Sequence, residues 1–318
     1  MNRRKSNQHA QMEALGGRIH PDHPCSGEIT EQILKYDAGF SGESMTDQFL
    51  AYLPPHFKLS QNVSLHDGIQ HFQMDALLSN QHFLLNLEVK NYKGALTFDL
   101  EHRQLFRQVD DRHDVFPDPF LQIEHQSIQL NRWLQRFDFP PIPIYSLVVL
   151  SNPYSSYITT GEDRDGLKKK IVRAKGLPSV VSHVSKAFTH PVWTTHQVEA
   201  FVDLIQKEHS EYKRDTLQKY QVLESDLIRG VRCPSCSQLA LKRKRDHWFC
   251  QHCEGKSQDA HYGLLREMAL LFGREVTVRN FMNFALLDSR KVAWRLLKEA
   301  CPEFYGNTKD RVYIVNLS

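Results

Sequence analysis

The sequence predicts an α/β fold with a mixed sheet flanked by helices, followed by a four-cysteine module and a small helical C-terminal module. Three observations carry this. Residues 41–150 read in order as a helix, several short alternating strands, a helix and one continuous apolar strand, a succession that builds a sheet covered by helices. Two Cys-x-x-Cys pairs, Cys233/Cys236 and Cys250/Cys253, stand 13 residues apart. Beyond them the apolar spacing is helical until a last short strand, Arg311–Leu317.

The 318 residues suggest roughly two domains at about 150 residues each. With 41% hydrophobic and 24% charged residues, the composition is that of a globular protein rather than a disordered tail. Forty Lys and Arg against 37 Asp and Glu exclude a polybasic coat, but not a local basic patch. No apolar run approaches the ~18 residues of a membrane span. The basic start Met1-Asn2-Arg3-Arg4-Lys5 leads into polar residues, not into a signal-peptide core. A cytoplasmic chain without membrane contact is therefore expected. Composition divides it into a helical and irregular extension (1–36), an α/β domain (37–207), a charged helical connector (208–228), the cysteine module (229–258) and the helical module (259–318).

The elements follow from local signals. Glu28–Tyr36 reads as a short helix. Ser41 or Gly42 caps a second helix that runs through Leu53 and is stopped by Pro54-Pro55. Alternation predicts strands at Phe57–Leu65, His71–Leu78, His82–Asn91, Ala95–Asp99 and Gln104–Val109. Pro119–Phe137 carries a helical stripe of Leu121, Ile128, Leu130 and Leu134. Ile142–Leu150 is apolar throughout and bounded by prolines and Ser-Asn-Pro, the pattern of a buried central strand. Thr195–Gln206 is again helical.

The strongest chemical signal sits on two neighbouring strands. In Phe83–Lys90 the pleat places Phe83, Leu85, Leu87 and Val89 on one face and Asn86, Glu88 and Lys90 on the other. The preceding strand carries one acid, Asp75, in an apolar context. A turn at Ser79–Gln81 folds the two into a hairpin and brings Asp75 opposite or diagonal to Glu88, at ~5–8 Å between β-carbons. Two such carboxylates can share a hard divalent cation. A lysine beside them can orient a metal-bound water or offset charge on a phosphoryl oxygen. Glu43, in the first turn of the preceding helix, can complete the ligand set or the water network. A solvated cross-strand ion pair is the plainer reading of Glu-x-Lys, but both strands are too apolar for a simple surface pair.

These residues resemble a known family. Gly42-Glu43 on a helix, Asp75, Glu88-Val89-Lys90, Tyr92-Lys93-Gly94 and Pro119-x-x-Gln122-x-x-His125 look like the NERD (nuclease-related) domain of the PD-(D/E)XK nuclease-like superfamily, over roughly residues 37–160. The resemblance implies a restriction-endonuclease-like mixed sheet. It also implies Mg²⁺ (or Mn²⁺) held by Asp75, Glu88 and the carbonyl of Val89, with Lys90 supporting the water nucleophile. Glu43 and Gln122 match further motif positions, and His125 closes the helix motif. Met74-Asp75 stands where the superfamily has Pro-Asp. The implied activity is hydrolysis of nucleic-acid phosphodiesters, with DNA as the expected partner. An inactive nucleic-acid-binding protein and a protein–protein adaptor are the alternatives.

The four cysteines can supply a tetrahedral thiolate set for Zn²⁺. The stretches Leu239–Arg243 and His247–Cys250 between the pairs read as a hairpin, giving a zinc ribbon. Four protein ligands leave no open position, so the zinc is expected to be structural. Two matched pairs around a hairpin disfavour a redox dithiol. Lys242, Arg243, Lys244 and Arg245 beside Trp248 suit phosphate contacts and base stacking, or simply a solubilising tip. Cys25 and Cys301 read as free thiols. Val276–Leu286 and Ser289–Ala300 form two helical patterns that fit either a winged helix-turn-helix or a small helical domain.

Overall fold

The computed structural model of the chain describes residues 3–163, 165–210, 215–307 and 310–317. Packing separates two units, Met1–Ser6 with Lys35–Tyr212, and Asn7–Leu34 with Lys213–Ser318. Helices α1 (Asn7–Gly16) and α2 (Ser26–Leu50) open the chain. The short helix at 28–36 and the helix predicted from residue 41 are one continuous element. Glu43 therefore lies deep in α2, not in a first turn. Gly39 and Gly42 weaken a helix only by about 1 kcal/mol each, too little to break one held by tertiary packing.

The first unit is built on β1 (Lys58–His66), β2 (His71–Ser79), β3 (Leu84–Lys90), β4 (Ala95–Asp99), β5 (Gln104–Val109), β6 (Arg112–Pro117), α3 (Pro119–Arg136), β7 (Ile144–Leu150), β8 (Ser156–Thr160), β9 (Ile171–Arg173), α4 (Leu177–Ser185) and α5 (Thr195–Glu208). The main sheet has the order β1-β2-β3-β7-β9. Its β1, β2 and β3 run antiparallel, while β3, β7 and β9 run parallel. The expected mixed α/β sheet is thus present, and Ile144–Leu150 lies inside it between β3 and β9. Parallel pairing of β3 with β7 needs a long crossover, which β4–β6 and α3 provide.

Both sheet faces are covered. Leu85 and Leu87 pack with Leu147, Val149, Leu177 and Val181 on one face. Leu84, Leu130, Trp133, Trp193 and Phe201 fill the other, beneath α3 and α5. A second sheet, β6-β5-β4-β8, packs Leu96, Phe98 and Leu105 against Phe120 and Ile123 of α3. Asp118 caps α3 by accepting the Phe120 amide, with Pro119 next to it.

Gly42 lets α2 approach the ends of β3 and β7. A β-carbon there would lie 2.5 Å from Asn91 Cβ and 2.5 Å from Ser151 Oγ. Gly42→Ala gains about 0.5–1 kcal/mol of helix propensity but forces an overpacking that typically costs about 1–3 kcal/mol. The expected net is a loss of stability, read as a lower urea midpoint at unchanged slope. Gly94 is constrained twice: its φ is +98° and a β-carbon would overlap the Gln108 carbonyl.

The second unit holds α1, a short helix α6 (Thr216–Lys219), the hairpin strands β10 (Leu241–Arg243) and β11 (Trp248–Cys250), and β12 (Lys256–Ser257). It continues with α7 (Ala260–Phe272), β13 (Glu275–Thr277), α8 (Val278–Phe284), α9 (Arg290–Ala300), β14 (Phe304–Tyr305) and β15 (Val312–Ile314). The charged stretch 208–228 is helical among the described residues only in the end of α5, in α6 and in a 3₁₀ turn at Glu224–Asp226; residues 211–214 of that predicted connector lie outside the described residues. The predicted helix at 276–286 is a strand leading into a shorter helix, because Thr277 accepts the Asn280 amide and caps α8 there. The order is helix, strand, helix, helix, strand, strand, with the sheet β13-β15-β14, so the module is not purely helical. Among the described residues no helix is long and apolar enough to cross a membrane.

Candidate functional site

Asp75 sits where β2 lets go of both neighbours. Toward β3 the last paired residues are Ala76 and Leu87. One step further the register would set Asp75 across from Glu88, but there Asp75 Oδ2 instead accepts the Val89 amide at 2.7 Å. Toward β1, the pairs Gln61–Ala76 and Val63–Met74 flank Asn62, which is in the left-handed region at φ +48°. The pleat changes phase at this point: Ala76 and Leu78 belong to one core, while Phe72 and Met74 belong to the other. The irregularity frees a carboxylate and its carbonyl from the sheet.

On β3, Glu88 is buried and Lys90 is 17% exposed at its side chain. Lys90 Nζ donates to Glu88 Oε1 at 2.7 Å and to Gln122 Oε1 at 2.9 Å. The other Glu88 oxygen accepts Gln126 Nε2 at 2.8 Å, and Gln126 Oε1 in turn accepts Asn86 Nδ2. Gln122 and Gln126 are four apart on α3 and share a face. That spacing was visible in the sequence and identifies Gln126, which the motif alone misses. His125 is exposed on α3.

Glu43 is brought to the same cluster by α2, and a residue that the sequence reading passed over comes with it. Arg3 is enclosed, with 2% of its side chain exposed. It grips Asp47 through both Nε (2.8 Å) and Nη2 (2.9 Å). Its Nη1 donates to Glu43 Oε2 (2.7 Å), Asn62 Oδ1 (2.9 Å) and the Asp75 carbonyl (3.0 Å). No local pattern marks Arg3, because its partners lie 40 to 72 residues away. Arg3→Ala would leave Asp47 and Glu43 without their cation, a loss of about 3–5 kcal/mol for a broken buried pair. Chemical denaturation would measure it.

The electrostatics are those of crowded acids. Burial, then the charges of Glu88 and Glu43, push the Asp75 carboxyl well above the usual carboxylate range. Burial also raises Glu43, against the pull of Arg3. Burial acts to lower Lys90, but Glu88, Tyr92 and Asp75 together raise it and keep the ammonium charged. Glu43, Asp47, Asp75 and Glu88 face two cations, Arg3 and Lys90. Two negative charges are left over when all ionise, the charge of one divalent cation, and an all-oxygen donor set suits a hard one. The carboxylates are not drawn into a preformed trio: among the described residues, Glu43, Asp75 and Glu88 do not bring three oxygens within 4.8 Å of one another.

Comparison with known proteins now bears on this geometry. A family model described as the nuclease-related domain matches residues 38–151. Residues 38–151 are a NERD domain. The small subunit of a heterodimeric restriction endonuclease is a similar solved structure, 14% identical, covering 54% of this chain and 90% of that one at a TM-score of 0.20. No curated protein matches. The NERD match contains Glu43, Asp75, Glu88, Lys90 and Gln122, and the contacts above place all five in one neighbourhood. Arg3 lies outside the matched span.

The second unit brings the four cysteines together. All four Sγ atoms lie within 4.8 Å of one another. Cys233–Cys253 and Cys236–Cys250 are each 3.7 Å apart, close to the ~3.8 Å edge of a tetrahedron with Zn–S bonds of ~2.3 Å. This is far beyond a disulfide bond of ~2.05 Å. The residue after each pair, Ser237 and Glu254, has φ +60°, so the two knuckles turn alike. This set fits Zn²⁺. Cys25 and Cys301 are also free thiols.

The ribbon corrects one expectation. Trp248 is completely buried and its indole N–H points to His261 Nδ1 at 3.4 Å, so it offers no face to a base. It is the core of a module too small to have another. Lys242, Lys244 and Arg245 are exposed, and Arg243 is half-buried with its guanidinium 5.4 Å over the Trp248 ring.

Proposed function

We propose that the NERD domain is the catalytic part of a Mg²⁺-dependent nuclease that hydrolyses DNA phosphodiester bonds, and that the ribbon and C-terminal module hold the nucleic acid. The observation that carries this is the break in β2 at Asp75, which frees one acid beside Glu88 and Lys90. Asp75 and Glu88 would hold the cation, with the carbonyl of Val89 as the third oxygen. A bound divalent cation supplies a lowered water pKa and charge neutralisation on phosphate. Lys90, kept charged by Glu88 and aimed by Gln122, would position the attacking water and offset charge on the phosphate. Gln126 fixes the Glu88 carboxylate, and Arg3 holds Glu43 and Asp47 as an anionic wall. The four thiolates would hold Zn²⁺ with no open position, a structural role.

Arg3 also favours a second reading. The chain places its own cation against the acidic cluster, as a nucleic-acid-binding protein that keeps the fold without turnover would. The deciding experiment offers linear, nicked and supercoiled DNA to the purified zinc-bound chain with Mg²⁺, Mn²⁺ or Ca²⁺. Cleavage that needs Mg²⁺ or Mn²⁺ and is lost in Asp75→Ala and Lys90→Ala supports the nuclease. Absence of cleavage of all three substrates by the folded wild-type chain refutes it.

A further inference from the structure

A groove of about 610 Å³ runs through the second unit between the ribbon hairpin and the turn joining α8 to α9. Arg229, Lys242, Arg243 and Lys244 line it, together with Asp288 and Ser289 at the start of α9 and apolar side chains of the α8–α9 turn. One side chain in it is unfinished: Nε and Nη1 of Arg243 are buried and have no hydrogen-bond partner. Buried polar groups are nearly always paired; Nε and Nη1 lie on different edges of the guanidinium, so each calls for its own acceptor oxygen. The Trp248 ring, 5.4 Å from the guanidinium, gives Arg243 a fixed apolar support. Burial and the like charge of Arg295 on α9 both disfavour the Arg243 cation. Asp246 and Glu299 attract it through space, but neither bonds it. An anion in the groove would offset the Arg243–Arg295 repulsion.

We infer that this groove is a binding site for a nucleic-acid backbone, with Arg243 gripping one phosphate and Lys242, Lys244 and Arg229 following its neighbours. Four cations against the single carboxylate of Asp288 suit a repeating polyanion better than one isolated anion. The choice of a nucleic acid over an acidic protein segment rests on the nuclease reading of the NERD domain. The site differs from the base-stacking surface expected from the sequence, because it reads charge with Arg243 and leaves Trp248 inside.

The test is fluorescence anisotropy of the full zinc-bound chain with labelled duplex and single-stranded oligonucleotides, in Ca²⁺ without Mg²⁺ so that cleavage does not intervene. The double variant Lys242→Glu/Lys244→Glu changes two exposed side chains. It should weaken binding at least tenfold and flatten the salt dependence by roughly 2 in log–log slope, at ~0.9 per phosphate contact. Arg243→Lys, which keeps a positive charge but loses the planar set of donors, should also weaken binding. Unchanged affinity and slope in the double variant, with normal zinc content, would overturn the inference. So would failure of the wild-type chain to bind any oligonucleotide, an outcome that would favour an acidic protein segment. Groove-dependent binding with no cleavage in Mg²⁺ would sink the nuclease reading and leave the groove standing.

Discussion

Asp75→Asn is expected to lower DNA cleavage by at least about 10²–10³-fold, the scale of losing one preorganised electrostatic element of a site, while making the metal-free protein more stable. The opposite signs share one cause. The folded-state carboxyl of Asp75 is raised by burial and by Glu88 and Glu43, so ionising it costs folding free energy when no cation is present. Between the ordinary Asp value of ~3.9 and the raised folded value, the folded chain binds more protons than the unfolded one. Stability therefore falls as pH rises through that window. The amide is neutral, keeps the shape and still accepts the Val89 amide, so it removes the slope. Thermal unfolding of the metal-free chain across that window should show a pH-dependent midpoint in the wild type and a flatter, higher one in the variant. Lys90→Ala should lose cleavage on the same scale with a different signature. It leaves Glu88 without its ammonium, so the metal-free protein should lose stability. A mutant pair that changed activity and stability in parallel would argue for general damage to the fold.

Removal of zinc is the second large effect. The ribbon's strands are two or three residues long, and its core is essentially Trp248, Leu241, Cys233 and Cys250. So little buried apolar surface cannot hold a fold against chain entropy. Structural zinc in small modules contributes about 10–16 kcal/mol of apparent binding free energy, more than a typical domain's entire stability. Cys233→Ser or a strong chelator should therefore release one equivalent of zinc and unfold the ribbon. Trp248 should then lose its buried environment, a change readable as a red shift of its emission. The first unit has its own cores, so its unfolding transition should persist. Retention of the buried Trp248 signal after zinc loss would show that the ribbon folds without metal.

Much of this was legible in the sequence because it is local. Alternation in β3 sorts Leu85 and Leu87 from Asn86 and Glu88, and the structure sorts them the same way. The cysteine spacing brought four thiols to one point. The parts that were not legible are non-local. The phase change at Asp75 cannot be read from β2 alone, because it depends on Arg3, Asn62 and Val89, each from a different part of the chain. Arg3 looked like one of several terminal basic residues and is instead the most heavily bonded cation of the acidic cluster. Ser41 and Gly42 resemble a helix start, whereas Gly42 lies inside α2 and is needed for close approach to Asn91 and Ser151. Trp248 beside basic residues reads as a stacking platform until its burial is known, and in so small a ribbon the largest aromatic is needed as core.

Asp75 and Glu88 are proposed to form together a seat for one divalent cation. Calorimetric titration of Mg²⁺ into the zinc-bound chain, beside Asp75→Asn and Glu88→Gln, tests it without reference to any substrate. One Mg²⁺ should bind per wild-type chain and none in either variant, with both variants folded. Equal Mg²⁺ binding by the wild type and Asp75→Asn, or no binding by the folded wild type, would contradict it.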